Sequence, residues 1–180
     1  VISFNDGTQL VEGQYVLALI YNASVQSIDA SLSHSETSIN YSIDNSFRNV
    51  GTYSVTLSSL PTRNYKSTSV AVTVEISPYE LENILATEII DEMSNLTKIY
   101  GETDKTFVKS IVGLGDDSDI IVEYTRETGE AVGLYDLELS SFSNSNYVVT
   151  LAPNAGNDVF EITKREITIS EVTPVSKFYD

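Results

Sequence analysis

The stretch Val50–Tyr65, VGTYSVTLSSLPTRNY, decides the fold, because the chain uses it again at Val132–Tyr147 as VGLYDLELSSFSNSNY. The two blocks align without gaps over sixteen residues and share eight of them: Val, Gly, Tyr, Leu, Ser, Ser, Asn and Tyr. Self-similarity at a fixed spacing is the signature of a chain built from repeated units. The block therefore predicts two copies of one structural unit.

Each block has the pattern of a β-strand followed by its exit turn. Apolar residues recur at every second position, as Tyr53, Val55 and Leu57 in the first block and as Tyr135, Leu137 and Leu139 in the second. This alternation is typical of a strand with one buried face. Gly51 and Gly133 stand where a turn enters the strand, and glycine tolerates the positive φ that turns often need. The closing Tyr65 and Tyr147 are predicted to return the chain to the core.

The similarity continues beyond the blocks. ISPYEL from Ile76 matches ITKREI from Ile162, and KIYG at residues 98–101 returns as KFYD at residues 177–180. The final SKFYD therefore reads as the opening of a third unit. We predict a first repeat at residues 1–78, a second at 79–170 and the start of a truncated third at 171–180.

One stretch gives conflicting signals. In SPYELENILATEIIDEM, Ser77 is a good helix cap, Pro78 suits the first helical position, and the apolar residues that follow fall on one helical face. The repeat instead aligns ELENI with EITIS of the second unit, which has a strand pattern. We give precedence to the repeat and predict a strand, with a helix over residues 78–93 as the alternative.

The predicted fold class is mainly β. Short runs rich in Val, Ile, Thr and Tyr are separated by turns of Gly, Asn, Asp and Ser, which is typical of β-rich domains. We expect two tandem small antiparallel β-domains, each an immunoglobulin-like sandwich or a curled sheet. A β-grasp-like α+β fold with one short helix is the structural alternative.

Composition narrows the range of functions. The 180 residues include 26 acidic and 10 basic side chains, and the net charge is −16. A field of this sign repels nucleic acid and anionic membranes. No apolar run approaches the roughly 20 residues that span a bilayer. We therefore expect no nucleic-acid partner and no membrane insertion.

The residues that carry most enzyme chemistry are scarce. The chain has no cysteine, which excludes disulfides and thiolate chemistry, and it has one histidine, His34. His34 lies in the polar stretch SLSHSETS and belongs to no motif for nucleophilic or metal-dependent catalysis. We expect no enzyme activity and no catalytic or cofactor-binding residues.

One acidic loop is a candidate metal site. GLGDDSD places Asp116, Asp117 and Asp119 after two glycines, and several carboxylates on one loop can form an oxygen site for calcium. Glu102 and Asp104 are candidates to complete it. The alternative is ordinary turn chemistry, in which Asp bonds nearby backbone groups. No other cofactor is expected.

The aligned units resemble the MBG-type repeats of bacterial surface proteins, in their YGX or YDG-like variants. The resemblance rests on KIYG at 98–101, GLGDD at 113–117, YTRETGEAVGLYDLELSS at 124–141, NY at 146–147 and FEITKREITI at 160–169. The first unit matches less well, because it lacks a clear KxYG opening. The resemblance implies tandem repeats of a secreted or surface-anchored adhesin-like protein.

Two functions follow as expectations from the repeats and the resemblance. The first is a structural stalk or spacer, whose partners are the neighbouring repeats of the same chain. The second is an adhesive module that binds host glycan, mucin or protein through exposed aromatic rings. The candidates are Tyr21, Phe47 and Phe142, and the alternative for each is a buried core position. In both cases the chain is expected to be extracellular, at the cell surface.

Overall fold

The computed structural model describes residues 1–84, 96–171 and 175–177. In these ranges the regular structure is all strand, with no helix, which confirms the mainly β fold class. No helix in the described ranges is long and apolar enough to cross a membrane.

Fifteen strands are formed by the described residues. The first seven are β1 Ile2–Phe4, β2 Gln9–Val11, β3 Gln14–Ile20, β4 Ala30–Leu32, β5 Ile39–Tyr41, β6 Gly51–Ser59 and β7 Ser69–Ser77. The other eight are β8 Tyr79–Ile84, β9 Thr97–Ile99, β10 Phe107–Ile111, β11 Ile120–Arg126, β12 Gly133–Tyr135, β13 Leu137–Phe142, β14 Tyr147–Leu151 and β15 Phe160–Thr163.

The strands before and after Pro78 belong to different sheets. Strands β1 to β7 form a five-stranded sheet in the order β2-β3-β7-β6-β5 and a small β1-β4 pair. Strands β8 to β15 form two three-stranded sheets, β10-β11-β13 and β12-β15-β9, and a β14-β8 pair. We call residues 1–77 the N-terminal half and residues 79–170 the C-terminal half.

The two halves share strand register, as the repeat predicts. Gly51 pairs with Ile76 across β6 and β7, and Gly133 pairs with Ile162 across β12 and β15. The residue two positions along each strand also has a matching bond, because Tyr53 donates from its hydroxyl to the carbonyl of Asn49 (2.8 Å) and Tyr135 donates to that of Ala131 (2.6 Å). Gly133 lies 82 residues after Gly51, and Ile162 lies 86 residues after Ile76. Residues related by these two offsets therefore occupy equivalent strand pairings in the two halves.

The expectation of purely antiparallel domains needs correction. Three strand pairs among the described residues are parallel: β3 with β7, β14 with β8, and β15 with β9. A parallel pair needs a long crossover connection, and β4, β5 and β6 lie between β3 and β7. Alternation of apolar residues shows which face of a strand is buried, but it carries no information on the direction of the neighbouring strand.

The conflicting stretch after Ser77 begins as a strand. Residues Tyr79–Ile84 form β8 and pair with β14, so the strand prediction is confirmed there and the helical alternative is wrong for these residues. Residues 85–93, the rest of that prediction, lie outside the described ranges.

The buried side chains follow the predicted alternation. Val55 and Leu57 are buried in the first block, and Tyr135 and Leu137 are buried in the second. Their counterparts Tyr53 and Leu139 lie on the same faces and are half-buried. Within the ranges that the structure describes, the buried apolar side chains are Leu17, Tyr21, Ile28, Phe47, Val55, Leu57, Val72, Val74, Ile76, Leu96, Phe107, Ile120, Val122, Tyr124, Tyr135, Leu137, Tyr147, Val149, Phe160 and Ile162. Both halves thus contribute to the core, which includes residues where they meet.

Candidate functional site

The candidate site is the contact between the two halves. Tyr21 follows β3 and Arg48 lies in the turn before β6 of the N-terminal half, whereas Asp117 lies in the β10–β11 loop of the C-terminal half. Asn146 and Tyr147 come from the start of β14. We call these five residues the joint.

Asp117 is the centre of the joint. One carboxylate oxygen accepts hydrogen bonds from the hydroxyls of Tyr21 (2.5 Å) and Tyr147 (2.7 Å), and the other accepts from the Arg48 guanidinium (2.7 Å). The Asp117 side chain is only 9% exposed. A buried carboxylate is stable only when it is paired and hydrogen-bonded, and here two of its three partners come from the N-terminal half.

The aromatic rings exclude water from this carboxylate. Tyr21 and Tyr147 are each 1% exposed, and their rings meet edge to face with centroids 5.4 Å apart. Tyr79 adds a second edge-to-face contact on Tyr147. Such aromatic pairs contribute about 0.5–1.5 kcal/mol beyond the area they bury.

Asn146 forms a second connection between the halves. Its side-chain oxygen accepts from the backbone N–H of Val50 (2.9 Å), and its side-chain nitrogen donates to the side chain of Asn49 (3.2 Å). Its backbone carbonyl accepts from Tyr79 N–H (2.9 Å), the first residue of β8. The Asn-Tyr pair at the end of the second block therefore has a role beyond closing a loop.

The joint shifts the pKa values of its titratable groups. The hydroxyls of Tyr21 and Tyr147 hold the pKa of the Asp117 carboxyl below its ordinary value, against the opposing effect of burial, and Arg48 acts in the same direction. Burial, with the adjacent Asp117 charge, raises the pKa of Tyr147 to about 12 and also raises that of Tyr21. Both effects keep the carboxylate charged and the hydroxyls protonated.

The loop that carries Asp117 is held by backbone bonds. Asp117 N–H donates to the carbonyl of Leu114 (2.9 Å), and Leu114 N–H donates to the hydroxyl oxygen of Tyr147 (2.8 Å). A side chain at Gly113 would place its Cβ 2.7 Å from the carbonyl oxygen of Ser118, so glycine is required there. Gly115 has a φ of +53°, which also favours glycine.

The three predicted calcium ligands have different surroundings. Asp117 is bonded within the joint, Asp119 accepts from the hydroxyl of Ser110 (3.0 Å), and Asp116 is exposed. Glu102 accepts from the N–H of Ile99, and Asp104 binds Lys98. The described residues include no group of three or more His, Cys, Asp or Glu that could hold a metal ion. The calcium site stays a prediction, and the geometry assigns Asp117 to the contact between halves.

A second charged cluster lies within the C-terminal half. Lys98 and Arg126 both bridge the carboxylates of Asp104 and Glu130, at N···O distances of 2.5–2.9 Å. Both cationic side chains are buried, and Arg126 lies over the rings of Tyr135 and Phe160. Hydrogen bonds to Asp104 and Glu130 raise the pKa of Lys98, so the ammonium stays protonated. Lys98, which opens the KIYG phrase, therefore holds its own half together.

The structure also supplies the opening phrase that the first unit lacked. Leu19, Ile20, Tyr21 and Asn22 read LIYN, 79 residues before KIYG, which is also the spacing from KIYG to KFYD. Leu19 pairs with Ile76 as Lys98 pairs with Ile162, and Tyr21 N–H donates to Ser77 as Tyr100 N–H donates to Thr163, both at 2.9 Å. The 79-residue spacing could have identified LIYN as the opening of the first unit. It was not recognised because Leu19 stands where the other two openings have lysine.

The aromatic residues proposed for ligand binding are mostly internal. Tyr21 and Phe47 are buried, so for these two candidates the alternative of a core position is the one observed, and Phe142 is half-buried. Tyr65 also differs from its prediction, because it is 37% exposed and stacks on His34 with ring centroids 4.1 Å apart. Its counterpart Tyr147 is buried because β8 and the joint cover it.

The comparison with known families agrees with the resemblance inferred from sequence. Residues 92–155 match the family model of the MBG domain (YGX type), which is consistent with an MBG-type repeat in this part of the chain. MBG domains are repeat modules found in surface proteins. No curated protein and no solved structure showed significant similarity to the chain.

Proposed function

We propose, taking residues 92–155 as an MBG-type repeat, that this chain is a non-enzymatic structural module, a stalk or spacer of a secreted or surface-anchored bacterial adhesin-like protein. Its partners are the neighbouring repeats of the same chain, and its location is the cell surface. In a one-dimensional array each unit contacts mainly its neighbours, so that each added repeat makes the array longer.

The observation that carries this proposal is the buried Asp117 carboxylate shared by the two halves. A spacer keeps its two ends at a fixed separation only if the contacts between its units resist bending. Separation of the halves would remove the Tyr21 and Arg48 bonds from Asp117 and expose the Tyr21 ring. Each bond to a charged group contributes about 1.5–3 kcal/mol when its partner is buried. We infer that the joint holds one orientation.

The tandem arrangement is part of the proposal. The family match lies in the C-terminal half, and the N-terminal half is assigned to the same type from its equivalent strand register and its LIYN phrase. Two units that share pairings at Gly51 and Gly133, and at Tyr21 and Tyr100, are most simply two copies of one domain.

The lack of enzyme activity belongs to the same proposal. Its support is compositional, since the chain has no cysteine and its one histidine stacks on Tyr65. In activated-nucleophile sites the base is typically oriented by a third group, and among the described residues no hydrogen bond from a carboxylate or hydroxyl to His34 is seen.

An adhesive module is the second candidate function. The observation that favours it is the exposed pair of His34 and Tyr65, which lines a shallow cavity of about 190 Å³ with Leu32 and Thr68. Aromatic faces of this kind suit host glycans or peptide side chains. Because Tyr21 and Phe47 are buried, fewer aromatic rings are exposed for ligand binding than the sequence suggested.

Two measurements on the purified chain separate these functions. Small-angle scattering is expected to report an extended two-unit particle, and the Asp117→Ala variant is expected to show a broader distribution of shapes. A screen against mucins, glycans and matrix proteins, with and without calcium, is expected to be silent. A compact particle would contradict the spacer, and saturable binding lost in Tyr65→Ala would establish the adhesive module instead.

A further inference from the structure

The crossing from one half to the next is made by a single strand. β8 follows β7 after Pro78, and it leaves the sheet of the N-terminal half to pair in parallel with β14 of the C-terminal half. In this register Tyr79 lies opposite Tyr147, Glu80 opposite Val148, and Leu81 opposite Val149. The chain thus passes from β7 into a strand whose backbone hydrogen bonds with β14 lie beside the joint.

An equivalent of β8 follows the last strand of the C-terminal half. The 86-residue offset that relates Ile76 to Ile162 carries Tyr79, Glu80 and Leu81 to Arg165, Glu166 and Ile167. Residues 164–170 belong to no strand pair in the described part of the chain, and they are exposed. Ile167 is 92% exposed and Ile169 is 83% exposed. Alternating apolar residues on an exposed, unpaired segment can form a strand that pairs with a free sheet edge.

An equivalent of β14 lies in the N-terminal half. The 82-residue offset carries Tyr147, Val148 and Val149 to Tyr65, Lys66 and Ser67. Residues 65–68 form no strand pair among the described residues, although they lead directly into β7. The shallow cavity of His34 and Tyr65 lies alongside them. The chain therefore contains both the strand that is offered and the edge that would receive it.

The charges of these two segments are complementary. Transfer of the β8–β14 register places Arg165 opposite Tyr65, Glu166 opposite Lys66, and Ile167 opposite Ser67. Opposite charges that face each other across a strand pair are stabilising, by about 0.2–1 kcal/mol per pair, and like charges are destabilising. The Arg165 guanidinium can also lie on the Tyr65 ring.

An exposed apolar surface lies beneath the offered strand. Tyr100 and Val132 are 51% and 47% exposed, and together with Lys164, Arg165 and Ile167 they line an open cavity whose surface is mainly apolar. Tyr100 is the counterpart of Tyr21, and Val132 is the counterpart of Val50. In the N-terminal half both counterparts are contacted by the C-terminal half.

We propose that Arg165–Ser170, with Tyr100 and Val132 beneath it, is a docking surface for a second copy of this chain, which receives the strand along residues 65–68. The contact reproduces between copies the parallel β8–β14 pairing, and it extends the proposed spacer function, on which it rests. Because donor and acceptor lie on different surfaces, the contact is heterologous, and its repetition adds further copies of the chain to an open or closed assembly.

Sedimentation equilibrium of the 180-residue chain up to about 1 mM tests this contact. The weight-average mass is expected to rise with concentration. Lys66→Glu and Glu166→Lys each place like charges opposite each other and are expected to weaken association about tenfold, the effect of about 1.4 kcal/mol. In an equimolar mixture of the two variants, opposite charges can again face each other, and association is expected to return. Glu171→Lys, with the same change outside the register, is the control.

Chemical shifts locate the contact. Addition of unlabelled chain to ¹⁵N-labelled chain is expected to shift the amides of residues 65–68 and 165–170. A chain that stays monomeric at the highest concentration, association indifferent to both charge changes, or shifts confined to other surfaces would overturn the inference. None of these results affects the spacer proposal, which concerns the two halves of one chain and is tested separately by their orientation and by the particle's shape.

Discussion

Tyr21 and Tyr100 occupy the same place in the two halves and have opposite surroundings. Each follows a strand that pairs in parallel with the last strand of its half, and each donates its backbone N–H across that pair. Tyr21 is 1% exposed because the C-terminal half covers it, whereas Tyr100 is 51% exposed. The difference indicates that Tyr21 is buried by the contact between the halves, since the equivalent position in the C-terminal half leaves Tyr100 exposed.

Two positions before each tyrosine, the exposure of the side chain differs in the opposite sense: Lys98 of the C-terminal half is more buried than Leu19 of the N-terminal half. Leu19 is an ordinary apolar side chain of the N-terminal half, and its counterpart Lys98 is the buried cation of the charged cluster. The interior of each half therefore accepts either leucine or lysine at this position, and the backbone bond of the tyrosine two residues later is the same in both halves. Variants at the joint and at these two paired positions show how far the halves differ.

Asp117→Ala is expected to have the largest effect. It leaves the Tyr21 and Tyr147 hydroxyls without their acceptor in a buried contact, and we expect a loss of about 3 kcal/mol in the free energy of unfolding. Denaturant unfolding measures this loss. Asp116→Ala, at the exposed neighbouring position, is the control, with an expected change within about 0.5 kcal/mol. Equal effects of the two variants would remove Asp117 from the centre of the joint.

The pH dependence of stability is expected to follow the same groups. Because the folded pKa of Asp117 is depressed, its contribution is complete above the ordinary Asp pKa near 4 and is lost as the pH falls through the folded value. Because the pKa of Tyr147 is raised to about 12, its contribution is complete below about pH 10 and is lost between there and pH 12.

Thermal melts across this pH range check both limbs. Asp117→Ala is expected to flatten the acid limb, and Tyr147→Phe is expected to reduce the alkaline limb. Lys98, whose pKa is also raised, contributes a further alkaline loss in both proteins, so the difference between wild type and Tyr147→Phe is the informative quantity. Identical profiles for the variants and the wild type would contradict the assignment.

Much of the fold could be predicted from the sequence, because the pattern that indicates a strand is contained within the strand itself. Alternating apolar residues beside Gly51 and Gly133 report a strand and its buried face, so β6, β12 and β13 could be predicted. The partner of each strand could not, because periodicity is indifferent to direction. The β3–β7 pair is parallel although β4, β5 and β6 lie between its two strands in the chain.

The candidate site was less accessible for a related reason. Tyr21 and Asp117 are 96 residues apart, and nothing in GLGDDSD distinguishes the buried Asp117 from the exposed Asp116. A count of acids indicates charge, but it does not indicate which carboxylate meets two hydroxyls. The repeat could have found Tyr21, since its spacing to Tyr100 equals the spacing from Tyr100 to Tyr179.

A pair of hydroxyl deletions tests the tyrosine comparison itself. Tyr21→Phe removes one bond to a charged acceptor and is expected to cost about 1.5 kcal/mol in the free energy of unfolding. Tyr100→Phe, the same change at the exposed counterpart, is expected to stay within about 0.5 kcal/mol. Chemical denaturation of both variants measures the difference. A cost at Tyr100 equal to that at Tyr21 would mean that the tyrosine serves its own half.

Lys98→Leu is expected to have the smallest effect on stability among the destabilising changes. It copies Leu19 and removes one cation from a cluster whose carboxylates, Asp104 and Glu130, remain accessible to water and keep Arg126 as a partner. We expect a lowered melting temperature with the joint unchanged, so the Tyr21 and Tyr147 side-chain resonances should not move. A shift of those resonances would show that the cluster and the joint are coupled.

The most direct test of a rigid joint measures the orientation of the two halves. Backbone residual dipolar couplings of the weakly aligned chain are fitted separately for the N-terminal and the C-terminal half. We expect one common alignment tensor in the wild type, of equal magnitude and direction in both halves, and two different tensors in Asp117→Ala. Two different tensors in the wild type would mean that the halves reorient freely, and the joint would then not make this chain a spacer.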